Sequence, residues 1–223
     1  MDKRTRERIL KNTDLTNLKK GATFDDIATL CDYAREVNAK SVCVAPYYVN
    51  FASNNLSESK VLVCTVIGFP NGYSKSEIKC AETLMAIEDG ADEIDMVINI
   101  AMLKNENYDE IKKEISDIAE ICHKHKNKKG KPVILKVIVE TCLLTASEIC
   151  KMCDICIESK ADYIKTSTGF DVLGANHEDI KLMKVCIGER NLKIKAAGGI
   201  RDFNKAKLMM DNGADRIGAS MLK

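Results

Sequence analysis

Four short segments echo one another along the chain: "NAKSV" opens at residue 38, "GADEI" at 90, "KADYI" at 160 and "GADRI" at 213. Each stands where a helical pattern stops and an apolar, strand-like run begins. Asn38, Gly90 and Gly213 suit the left-handed residue that closes a helix. Lys160 does not, so that junction is expected to close differently. The echo precedes the second, fourth, sixth and eighth strand candidates, and each copy therefore spans two strand–helix units. Four copies give eight units, the number that closes a (β/α)8 barrel.

The strand candidates are Ile9–Leu15, Ser41–Ala45, Val61–Gly68, Glu93–Asn99, Val133–Glu140, Tyr163–Ser167, Lys193–Ala197 and Arg216–Ala219. Runs such as "VLVCTVIG" and "VILKVIVE" are apolar throughout, as strands covered on both faces require. Between them, "FDDIATLCDYAREVN" and "YDEIKKEISDIAEICHKH" place apolar residues at i, i+3, i+4 and i+7, which predicts amphipathic helices. An alternation of this kind specifies a parallel sheet. An open doubly wound sheet is the competing architecture, but no glycine-rich dinucleotide fingerprint follows the first strand. The expectation is one α/β domain over residues 1–223, a (β/α)8 barrel whose last helix is missing because the chain stops just past the eighth strand.

Composition removes several classes. Lysine and arginine are balanced by acids to a net charge of +1, so there is no broad basic field for nucleic acid. No apolar run approaches the roughly 18 to 20 residues that span a bilayer. The N-terminus "MDKRTRERILKNTDL" has no apolar signal region. The ten cysteines lie within strand and helix patterns, which predicts reduced thiols and a cytoplasmic protein. Cys150, Cys153 and Cys156 are spaced like metal ligands, but spacing by three also traces one helix face, and core packing is the expected role.

The positions that break the strand pattern are ionisable. Asp95, Lys136, Lys165 and Lys195 sit in four successive apolar strands. A single lysine at a strand edge snorkels, its stem apolar and its head wet. Two lysines on adjacent strands with an aspartate nearby are either a structural ion-pair set or chemistry. An amine is nucleophilic only when neutral, and a second ammonium in a desolvated site favours loss of its proton. One lysine can then form a Schiff base with a carbonyl, with Asp95 moving protons, and neither metal nor cofactor is needed. Glycines close strands six, seven and eight in "STG", "AAGGI" and "RIGAS". In barrels such loops bind phosphate through backbone N–H groups. Here Gly169, Gly198, Gly199 and Gly218 would let the backbone approach an anion, with Ser220 or Thr168 as hydroxyl donors.

The motifs "VIGFPNG", "DEIDMVINI", "LKVIVET", "YIKTSTGF", "IKAAGGIR" and "RIGAS" resemble, in that order, those of the 2-deoxyribose-5-phosphate aldolase family. The resemblance implies a class I, Schiff-base aldolase on a (β/α)8 barrel. Such an enzyme cleaves 2-deoxy-D-ribose 5-phosphate to acetaldehyde and D-glyceraldehyde 3-phosphate. It implies Lys165 as the Schiff-base lysine, Lys195 as the lysine that perturbs it and Asp95 as the proton-transfer acid. Asp14, Thr16, Cys43 and Lys136 match other positions of the family's site. The implied partner is a small phosphosugar, with no nucleic acid or membrane, in a homodimer or homotetramer. Met221 stands where the family commonly has a second small residue. A transaldolase-like enzyme and a barrel that binds phosphosugars without turnover are the rival readings.

Overall fold

A computed structural model describes residues 1–222; the last residue of the expected domain, Lys223, lies outside them. Eight strands form one closed parallel barrel in sequence order. They are β1 (Thr13–Asn17), β2 (Ser41–Val44), β3 (Leu62–Ile67), β4 (Glu93–Val97), β5 (Ile134–Ile138), β6 (Tyr163–Lys165), β7 (Lys193–Ala197) and β8 (Arg216–Ala219). Helix α1 (Lys3–Leu10) precedes the barrel. The connections carry α2 (Phe24–Glu36), α3 (Val49–Asn55), α4 (Ser76–Glu88), α5 (Ile100–Lys104), α6 (Tyr108–Lys124), α7 (Ala146–Glu158), α8 (His177–Ile187) and α9 (Phe203–Asp211).

The first strand lies further along the chain than the expected Ile9–Leu15. Asp2 caps α1 by accepting from the Thr5 amide at 2.8 Å, and Ile9 and Leu10 form that helix's buried end. Two adjacent apolar residues fit a helix face as well as a strand, and the capping aspartate decides for the helix. Strands two to six also end one or two residues earlier than expected.

The four echoes share one geometry. Asn38, Gly90, Lys160 and Gly213 all take positive φ, at 52°, 102°, 61° and 116°. Ala39, Ala91, Ala161 and Ala214 then donate back to the carbonyls of Ala34, Ala86, Cys156 and Met209 at 2.9 to 3.1 Å. This is the six-to-one bond that terminates a helix. Lys160 therefore closes its junction as the others do. Its side chain is exposed, and the left-handed backbone costs an L-residue only about 1–2 kcal/mol. The aspartates explain the rest of the echo. Carboxylates of Asp92, Asp162 and Asp215 accept from the amides of Val63, Leu135 and Ile194 at 2.8 to 2.9 Å. Their own amides donate to the carbonyls of those same residues. Each aspartate thus ties the start of one strand to the strand before it.

Outward-facing strand residues such as Leu15, Val42, Val63 and Ile94 pack under the helices in one continuous core. Inside the barrel the apolar content is small: Cys43, Cys64 and Val66, with Leu18 and Phe69 above them. Cys153 and Cys156 are buried in the helical layer, as expected. The expectation that all thiols are reduced needs correction, because Cys150 on α7 is bonded to Cys186 on α8. The two helices pack side by side, and their Cα atoms stand 5.4 Å apart at this point, within disulfide reach. Eight cysteines remain free thiols among the described residues.

Candidate active site

Side chains alternate across a strand, so residues two apart in the sequence enter the same barrel interior. Glu93 and Asp95 on β4, Tyr163 and Lys165 on β6, and Arg216 and Gly218 on β8 enter in this way. The ladder sets Lys165 opposite Lys195 and Asp95 opposite Lys136. The result is a polar centre where other barrels stack branched aliphatic residues.

Asp95 is its hub. Its Oδ2 accepts from Lys165 Nζ and from Lys195 Nζ, each at 2.7 Å. Its Oδ1 accepts from Lys136 Nζ at 2.8 Å and from the Cys64 thiol at 3.2 Å. Lys195 also reaches Asp14 Oδ2 at 2.5 Å, and Lys136 reaches Glu93 Oε2 at 2.7 Å. Below them Arg216 Nη1 bonds Asp14 at 2.5 Å and Glu93 at 3.0 Å.

Burial and charge pull these groups in opposite directions, and charge prevails. Burial pushes the Asp95 carboxyl up, yet Lys136, Lys165 and Lys195 together hold it well below the usual carboxylate range. Asp14 and Glu93 are lowered against the same penalty, Asp14 chiefly by Arg216 and Glu93 chiefly by Lys136. Burial pushes Lys195 down, but Asp14 and Asp95 outweigh it and its ammonium is held above the ordinary value. Lys136 is likewise raised, burial opposed by Asp95 first.

A cavity of about 610 Å³ opens above this cluster at the C-terminal ends of β6, β7, β8 and β1. Of the residues predicted from sequence, Thr16, Lys165, Thr168, Gly169, Gly198, Gly199, Gly218 and Ser220 line it. Asp14, Cys43, Asp95, Lys136 and Lys195 lie beneath, each 1% exposed or less, whereas Lys165 retains 4% and forms the floor. Lys165 is thus the amine of the cluster that a molecule in the cavity meets first. Met221 lines the rim with Phe170, Arg201 and Lys19.

Thr168 differs from its expected role as a donor. Its hydroxyl donates to Glu140 Oε2 and accepts from the Phe170 amide at 3.1 Å. Its proton is engaged by Glu140 and its oxygen by Phe170, so the hydroxyl is already committed on both sides. Burial pushes the Glu140 carboxyl up, against the pull of Thr168's donors. The glycine-lined rim is tightest where Gly174 crosses Gly198. A Cβ on Gly174 would lie 2.3 Å from the Gly198 carbonyl carbon, and the next amide, Ala175, donates to the carbonyls of Ala197 and Gly198 at 3.0 Å.

Sequence reasoning missed Glu93, Arg216, Glu140 and Gly174. Glu93 and Arg216 carried the same signal as the lysines, a charge inside an apolar strand. Glu140 and Gly174 carried none, since their roles come from contacts between neighbouring loops. Two groups, Cys43, Cys64 and Asp95, and Asp14, Cys64 and Glu93, are close enough to share a cation. Their carboxylate oxygens already accept from Lys136, Lys165, Lys195 and Arg216, so a metal ion would have to displace those groups.

A family model described as DeoC/LacD family aldolase matches residues 8–222. The deoxyribose-phosphate aldolase of Carboxydothermus hydrogenoformans is 47% identical over 213 residues, covering 96% of this chain and 91% of the relative. That of Clostridioides difficile is 48% identical over 214 residues, covering 96% and 93%. Among solved structures, the deoxyribose phosphate aldolase from Aeropyrum pernix, whose structure is tetrameric, matches with a TM-score of 0.87. It is 28% identical, over 96% of this chain and 88% of its own.

Proposed function

This chain belongs to the DeoC/LacD family of aldolases, and we propose that it reversibly cleaves 2-deoxy-D-ribose 5-phosphate to acetaldehyde and D-glyceraldehyde 3-phosphate. The observation that carries the reading is the floor of the cavity, where two lysines on neighbouring strands meet one oxygen of Asp95. The neutral Lys165 amine adds to the C1 aldehyde carbon of the open-chain sugar, and loss of water leaves an iminium. Asp95 helps shuttle the proton of the C3 hydroxyl away through water. The C2–C3 bond breaks, its electrons enter the iminium, and D-glyceraldehyde 3-phosphate departs. Protonation of the resulting enamine at C2 and hydrolysis release acetaldehyde and the free lysine. Lys195, held charged, favours the neutral form of its neighbour.

The test is reduction with borohydride in the presence of acetaldehyde, followed by peptide mass mapping, alongside an aldol-cleavage assay. The adduct is expected on Lys165. An adduct on Lys195 or Lys136 overturns the assignment, and absence of cleavage overturns the activity. Cleavage is expected to survive EDTA unchanged, because the iminium takes the electrons. A loss restored by a divalent ion would contradict this.

Within the same proposal the 5-phosphate lies against Gly169, Gly198, Gly199, Gly218 and Ser220. Gly199 has φ +67°, and a Cβ there would meet only Lys205 Nζ, at 3.5 Å. Gly199→Leu therefore meets no backbone clash, but it strains a left-handed backbone and places a side chain where the anion would approach. It is expected to weaken the phosphorylated substrate about ten- to a hundredfold, the worth of one hydrogen bond to a charged group, with a smaller effect on free deoxyribose. Equal losses for both would remove the phosphate from this rim. A cytoplasmic setting and assembly as a homodimer or homotetramer complete the proposal. The eight free thiols support the first, and the tetrameric Aeropyrum pernix relative supports the second.

A further inference from the structure

We propose that the Arg216–Glu93 pair beneath the cavity sets the proton count of the barrel interior, leaving Lys165 as the one amine without a proton. The inference rests on the aldolase reading of Lys165 and assigns a positioning role to two residues that touch no substrate.

Four basic groups meet three carboxylates in this interior: Lys136, Lys165, Lys195 and Arg216 against Asp14, Glu93 and Asp95. All but Lys165, at 4%, are 2% exposed or less, so an unbalanced charge is strongly penalised. Neutrality requires one basic group to be unprotonated, and contacts decide which. Lys136 bonds Glu93 and Asp95, Lys195 bonds Asp14 and Asp95, and Arg216 bonds Asp14 and Glu93. Each of these three has two carboxylates within 3.0 Å. Lys165 has one, Asp95, on an oxygen shared with Lys195. The weakest-held proton is therefore on the amine at the cavity floor.

Arg216 is the fixed member of this count, because a guanidinium does not deprotonate in a protein. Its Nη2 reaches Glu93 Oε1 at 3.3 Å and the Tyr163 hydroxyl at 3.5 Å. The groups facing the cluster are Asp14 from β1, Cys43 from β2, Cys64 from β3, and Glu93 and Asp95 from β4. Lys136 comes from β5, Tyr163 and Lys165 from β6, Lys195 from β7 and Arg216 from β8. Lys40, just before β2, lies near Arg216 at the lower end and is half-buried. Glu140, two residues past β5 and near Lys165, bonds Thr168 and no ammonium, and burial pushes its carboxyl up, so it stands outside the count together with the thiols and the phenol.

The charges of the pair have opposite effects. Without the Arg216 charge, the interior is one cation short and Lys165 keeps its proton. Without the Glu93 charge, it is one anion short and Lys165 loses its proton more readily. The test measures the rate of cyanoborohydride trapping of acetaldehyde on Lys165 from pH 5 to 10, with melting curves as the folding control. Arg216→Met is expected to move the rising limb alkaline by about one pH unit, roughly tenfold slower at pH 7, with recovery at high pH. Arg216→Lys is expected to restore the wild-type profile. Glu93→Gln is expected to move the limb towards acid, and the double variant to return it. Should Arg216→Met not fold, Glu93→Gln and the double variant decide alone. Slower trapping with an unmoved pH profile, or shifts of the same sign in both single variants, overturns the inference. If wild-type protein is not trapped on Lys165, the aldolase reading falls and this inference with it.

Discussion

Lys165→Met is expected to abolish covalent trapping and to lower aldol cleavage by about 10⁴-fold or more, the scale of losing a nucleophile that works as part of a unit. Methionine follows the lysine stem in shape, so the packing of β6 is retained. It also removes the single contact of Lys165 to Asp95 while Lys136 and Lys195 continue to hold that carboxylate. The folded state is therefore expected to persist, and the melting temperature separates loss of chemistry from loss of fold. Cleavage within tenfold of wild type, with an adduct on another lysine, would move the nucleophile elsewhere.

Lys195→Leu is expected to act differently, leaving Lys165 trappable but slow, and active only at higher pH. Removing an ammonium that shares Asp95 Oδ2 leaves Lys165 as that oxygen's remaining partner, and attraction to the carboxylate then favours its protonated form. Each tenfold loss of neutral amine corresponds to about 1.4 kcal/mol, and a loss of about a hundredfold at pH 7 is the expected size. The wild-type comparison is sound across the alkaline range. The Lys195 pKa is raised, so the stability its ion pairs contribute is full below the ordinary lysine value of about 10.4. That contribution is lost only as pH rises through the higher folded value. Cleavage and trapping followed from pH 6 to 10 check the result. A profile of unchanged shape would mean that Lys195 serves packing alone.

Both predictions rest on residues visible from the sequence, and the reason is local. A strand alternates its faces every two residues, so a charge inside an apolar strand is marked without knowing any neighbour. The same rule marked Asp95, Lys136, Lys165 and Lys195, and would have marked Glu93 and Arg216. Ile9 and Leu10 were misplaced because two adjacent apolar residues carry no period.

What the chain determined by itself was the repeat: three of the four helix-closing junctions, eight strands and the glycines that end three of them. These depend on backbone preference and hydrophobic period, which act over a few residues. Tertiary structure decided which charges meet. Asp14 and Arg216 are 202 residues apart in sequence and touch only because β1 pairs with β8 to close the barrel. Closure also gave Lys136, Lys195 and Arg216 two carboxylates each and left Lys165 with one. The pairing of β5 with β6 likewise brings Thr168 to Glu140, which engages the hydroxyl expected to donate to a ligand. Charge balance in a desolvated interior is a sum over all its members, and no segment of sequence contains that sum.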